Sequence, residues 1–235
     1  MGVGTVMAGV FALWTLLLAR HARALWALWR EPVFRAPVAI LESDDWGAGP
    51  LEQVPALQRL RDVLAETRNA HGEGIVMTVG VILETLDRDA SRAAQRHVTV
   101  ALDDARQAEI LAALKEGAAA GQFALQLHGQ AHYRPDTLLA TSARDPQVAA
   151  WCQAPGLGWT ETLPSALQSA WVDATTLPSR ALSDAAVAPT AQAECDAWCR
   201  LFGAAATVAV PTPFVWTGAV ERAWSAGGVR VIVTP

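Results

Sequence analysis

The sequence predicts an α/β fold built on a parallel sheet or barrel, and three observations lead there. Short apolar runs recur at "VAIL" (38–41), "IVMTVGVIL" (75–83), "FALQLH" (123–128), "ATVAVP" (206–211) and "VRVIV" (229–233). Segments of helical periodicity separate them, which favours parallel strands joined by crossovers. Titratable residues stand where the runs end, and chemistry gathers at the carboxyl ends of strands in such folds.

The elements follow in order. Val38–Leu41 reads as a short buried strand. Pro50 opens a segment in which Leu57, Leu60 and Leu64 recur at helical spacing among Arg59, Arg61 and Asp62. "HGEG" breaks the chain before the second strand. Asp104 begins D-x-x-Q, a capping pair for a helix to about Gly117, and the third strand follows Gly121. From Tyr133 to Pro189, repeated prolines predict short helices and loops. Thr190 is a candidate cap for a helix through Arg200. A fourth strand, a short helix over 217–226 and a fifth strand complete the series.

Composition bounds the function. The chain has 235 residues, 52% hydrophobic and 17% charged, with net charge −5. That suits one ordinary domain with a sizeable core and argues against disorder. The mild acidity offers no basic patch for nucleic acid. Cys152, Cys195 and Cys199 are an odd set without a C-x-x-C pair. They predict no disulfide framework and favour a reducing compartment. Cys195 and Cys199 are expected on one helix face, as packing residues rather than metal ligands.

Residues 1–19 carry no charged side chain, and a bilayer crossing needs about 18–20 apolar residues. Arg20, His21, Arg23, Arg30 and Arg35 follow, with Trp26 and Trp29 among them. Residues 1–30 therefore read as a membrane anchor, with the Arg-rich side and the domain in the cytoplasm. A soluble apolar helix packed on the domain is the alternative.

The chemistry centres on "ESDDWG" and "HGQAH". Adjacent carboxylates at a strand end, Asp44 and Asp45, repel each other and resist desolvation. A divalent cation removes that conflict. His128 ends the third strand and His132 lies four residues on. If Gly129 opens a helical turn, both imidazoles face one centre. One Asp and two His leave positions open for water and substrate, as catalytic sites require. Phe214 and Trp216 are candidate substrate-binding aromatics.

"SDDWG", "LHGQAH" and "VAVPTPFVW...ERAWSAGGVRVI" together resemble the NodB-type polysaccharide deacetylases, most closely the WbmS-type branch associated with surface polysaccharide synthesis. The resemblance covers residues 36–235. It implies a distorted (β/α) barrel, one divalent metal ion, usually zinc, and removal of acetyl groups from N-acetylated saccharides. Asp44 matches the family's catalytic base, and Asp45, His128 and His132 match its metal ligands. The backbone near Trp46 is a candidate oxyanion donor. The sequence departs from the family in three ways. "PTPF" places Thr212 where an Arg is usual, no His follows His132, and "VIVTP" ends the sequence at the fifth strand. An incomplete or open barrel is expected, and a non-catalytic carbohydrate-binding or scaffold protein on the same fold is the rival reading.

Overall fold

The structure, a computed structural model, describes residues 2–35, 38–173, 175–176 and 178–234. The chain divides into two compact units, Met1–Ala39 and Ile40–Pro235.

The first unit is dominated by one helix, α1 (Val3–Trp29), without a buried residue. At about 1.5 Å per residue it is roughly 40 Å long. Its most apolar stretch has a mean hydropathy of 1.7. It is therefore long and apolar enough to cross a membrane, a property that signal sequences share.

The second unit is an α/β domain. Its strands are β1 (Glu42–Gly47), β2 (Met77–Ile82), β3 (Glu84–Leu86), β4 (Thr99–Ala101), β5 (Phe123–Leu127), β6 (Val172–Asp173), β7 (Arg180–Ala181), β8 (Val208–Ala209) and β9 (Val231–Ile232). The five-stranded main sheet has the order β1-β2-β5-β8-β9, and all its pairs are parallel. β3 with β4 and β6 with β7 form small antiparallel pairs. Among the described residues β1 and β9 do not pair with each other, so the sheet is open and no barrel closes.

The helices are α2 (Gln53–Glu66), α3 (Arg88–Ala94), α4 (Ala108–Ala119), α5 (Pro135–Ser142), α6 (Pro146–Gln153), α7 (Asp184–Phe202) and α8 (Gly218–Ala226). The main core joins Val79, Val81, Phe123 and Leu127 of the sheet to Leu57 and Leu64 of α2 and Ile110 and Leu114 of α4. Val187, Trp198, Val220 and Trp224 of α7 and α8 complete it. Side chains alternate along a strand, so Gly80 and Gln126, paired in register, face the other way. A smaller core of Leu86, Tyr133, Leu138, Val148 and Leu163 lies under α5 and α6.

Four sequence expectations need correction. "VAIL" is not a buried strand: Val38, Ile40 and Leu41 are exposed. Pairing instead covers the polar stretch from Glu42, and only the Leu41 carbonyl joins, accepting from Thr78 N at 2.9 Å. An edge strand has one partner, and here the register on β2 outweighs the apolar pattern. Thr190 does not cap a helix either. Ser183 caps α7, its hydroxyl accepting from Ala186 N, and the helix continues through Pro189. Asp104 does cap, but through Arg106 N before a 3₁₀ turn. Gln107 closes no capping box; its Oε1 accepts from Gly49 N at 2.9 Å. The cysteines are free, with Cys195 buried and Cys199 exposed, so they do not share one packed face.

Candidate metal centre

β1 advances three residues, from Ser43 to Trp46, while β2 advances two, from Val79 to Val81. This bulge lies at Asp44 and Asp45, and Asp45 has φ 65°. A left-handed non-glycine residue of this kind costs about 1–3 kcal/mol and persists only where its surroundings offset that cost. On a regular strand neighbouring side chains point to opposite faces; a bulge re-aims one of them. Both aspartates consequently act on one histidine, His128.

Asp45 Oδ1 lies 3.2 Å from His128 Nε2 and 3.1 Å from His132 Nε2. The imidazoles stand edge to face, 4.9 Å between centroids, and both are buried. They converge through a loop, not the helical turn expected: Gly129 has φ 106°, which no right-handed helix accommodates.

His128 Nδ1 lies 2.9 Å from the Val210 carbonyl. A carbonyl can only accept, so Nδ1 carries the proton and Nε2 is left to face Asp45. Three ligand atoms, one from each residue, lie within 4.8 Å of one another. A carboxylate oxygen facing imidazole lone pairs is a donor set that a cation satisfies, and the Val210 contact is the orientation that metal-ligating histidines take. The group Asp45, His128 and His132 could therefore hold a metal ion.

The four titratable groups of the centre are shifted in different directions. Burial opposes charge on His128, but the Asp45 hydrogen bond, both aspartate charges and the Val210 carbonyl outweigh it and raise its pKa. Burial pushes His132 down to about 4; Asp45 opposes this and His128 adds to it. The Gln168 backbone also pulls it upward, without closing a hydrogen bond of good geometry onto Nδ1. Burial works against ionised Asp45, yet the His128 hydrogen bond and the two imidazoles lower its pKa overall. Asp44 goes the other way: burial raises it, His128 opposes, and Asp45 adds to the rise. Its Oδ1 is buried without a hydrogen-bond partner.

The other candidate residues are placed as follows. Trp46 is half-buried against the main core, and its Nε1 donates to Ser43 Oγ at 2.9 Å. The N–H groups after it are committed: Gly47 donates to Gln53, Ala48 to Ile82 and Gly49 to Gln107. None of those three is free for an oxyanion. Phe214 lies beyond β8, exposed, with φ 66°. Trp216 rests partly on the core, its Nε1 donating to Glu221 at 2.9 Å. Thr212, which stands where an Arg was expected, is buried, its hydroxyl oxygen accepting from Ala170 N at 3.3 Å.

Two contributors had no clear sequence signal. Gly80 lies under Asp44, and Glu194 is buried beside the histidine loop. A polar residue inside an otherwise apolar helical stripe was the only trace of Glu194.

No protein-family model, curated protein or solved structure matches this chain.

Proposed function

We propose that the second unit is a metal-dependent hydrolase that removes acetyl groups from N-acetylated sugars of a polysaccharide or its precursor, on an open sheet related to the NodB-type barrel. One observation carries the reading: an Asp-His-His ligand group sits beside a second carboxylate, Asp44, with its own unpartnered buried oxygen. A structural metal site has no use for that neighbour; a hydrolytic one does.

Asp45, His128 and His132 would hold the ion, zinc being the best match for an N,N,O set with open positions. When bound, a divalent ion supplies Lewis acidity, lowering the pKa of water and polarising a carbonyl. Asp44, its pKa raised by burial, would accept the proton that water loses as it attacks the amide carbon and return it to the sugar nitrogen as the C–N bond breaks and acetate leaves. The Val210 carbonyl keeps His128 in the tautomer that points Nε2 at the centre. Phe214 and Trp216 are the aromatic residues assigned to a sugar ring in this reading. α1 fits a tether that keeps the domain at the cytoplasmic side of a membrane.

The test is acetate release from a panel of N-acetylated saccharides, with zinc and after chelation. Release that chelation abolishes supports the reading. Zinc uptake without acetate release from any saccharide favours the binding-protein alternative, for which the absence of an arginine at Thr212 speaks. Release from non-sugar acetamides alone assigns a different amide substrate.

A further inference from the structure

Gln130 lies midway between the two histidines and is held from both sides. Its N–H donates to Glu194 Oε2 at 2.9 Å. Its carbonyl accepts from Glu84 N at 2.7 Å, and its side-chain Nε2 donates to Glu84 Oε2 at 3.0 Å. The loop over 128–134 has no helix or strand of its own, so these bonds, together with Leu83 N donating to the Gly129 carbonyl at 3.2 Å, set its shape. A Cβ placed on Gly129 would stand 3.9 Å from Glu194 Oε2, so the carboxyl group lies close to the turn.

Glu194 is fully buried on α7, and none of the ion pairs among the described residues includes it. Its second oxygen, Oε1, accepts from Trp224 Nε1. Trp224 is itself buried, edge-on to Trp171 at 5.2 Å. A lone carboxyl group in such a place is expensive, and an apolar side chain of similar volume would pack there more cheaply. What the carboxyl group provides is two oxygens that accept from two N–H donors, the buried Trp224 indole and the half-buried Gln130 backbone of the histidine loop.

We infer that Glu194 is a positioning residue for the metal centre, fixing the His128–His132 pair through the Gln130 N–H, while Trp224 occupies its other oxygen. The inference rests on the metal reading above. Glu194 touches neither ion nor substrate; it acts through the loop backbone.

The experiment compares wild type, Glu194→Met and Trp224→Phe. Methionine fills the space but accepts from neither N–H. Phenylalanine disturbs the same core but leaves the Gln130 bond in place. Zinc affinity, thermal unfolding and amide exchange at Gln130 are measured, the last two on metal-free protein. Glu194→Met should lose zinc affinity by about 10–100-fold and exchange at Gln130 at least ~10-fold faster, whereas Trp224→Phe should stay within about 3-fold of wild type in affinity. Wild-type affinity and exchange in Glu194→Met overturn the inference. So does an equal loss of affinity in Trp224→Phe at matched thermal stability, because a softened core then explains both. If Glu194→Met does not fold, Glu194→Asp, which withdraws both oxygens by one methylene, is judged by the same criteria. A wild type that takes up no zinc overturns the metal reading alone, and the exchange measurement still decides whether Glu194 holds the loop.

Discussion

Asp44 lies across the backbone of Gly80. A Cβ on that glycine would stand 2.4 Å from Asp44 Oδ1 and 3.2 Å from its Cα. Glycine is thus required by contact, although its own φ is unexceptional. Gly80→Ala should displace Asp44, cost about 1–3 kcal/mol of stability through overpacking, and lower acetate release more than zinc affinity. Zinc titration and acetate release on the folded variant check this; unchanged activity would mean that Asp44 has no fixed task.

The two aspartates should separate by chemistry. Asp44→Asn keeps size but cannot accept a proton at neutral pH. It should leave zinc content nearly intact and reduce deacetylation by about 10²–10⁴-fold. Asp45→Asn removes the charge facing both imidazoles, so zinc and activity should fall together. The opposite pattern, with Asp44→Asn losing the ion and Asp45→Asn keeping it, reverses the roles.

Zinc uptake should release protons. Burial lowers the pKa of His128, but Asp45, Asp44 and the Val210 carbonyl outweigh it and raise it overall, and a ligand must be neutral. Affinity should therefore fall on acidification, and the binding heat at pH 6–7 should vary with the buffer's ionisation enthalpy. His128→Ala or His132→Ala should abolish uptake. Equal metal content in wild type and both variants counts against the site.

Burial raises the pKa of Glu194 to about 8, against the lowering effect of its Trp224 and Gln130 hydrogen bonds. The folded state then holds this proton over a range where the unfolded chain, near 4.5, has lost it. Stability from this group is present at low pH and declines as pH rises from about 4.5 to 8. In metal-free protein, the difference in Tm between wild type and Glu194→Gln should shift against wild type between pH 5 and pH 8. A constant difference would show that Glu194 ionises normally in place.

If α1 is a tether, removing residues 1–30 should free the second unit from membranes without unfolding it. Flotation with vesicles and circular dichroism check both halves of this expectation. Full-length protein found wholly in the soluble fraction at low salt rules the tether out.

By itself the sequence determined the alternation of apolar strands and helices, the long apolar N-terminal segment, and the residue types that meet at the centre. These depend on local pattern: β2, α2, β5 and α8 lie where periodicity placed them because each buries its own apolar face. What only the tertiary structure decided depends on distant partners. The first strand moved onto its polar residues because pairing with β2 outweighed the apolar run beside it. The bulge that brings Asp45 onto His128 and His132, beside Asp44, is a mismatch between two strands and exists in neither alone. The His128–His132 spacing looked helical, but Gly129 and the acceptors at Glu84 and Glu194 made it a loop. Glu194 is 64 residues from Gln130, and no local periodicity could assign it to the loop N–H it serves.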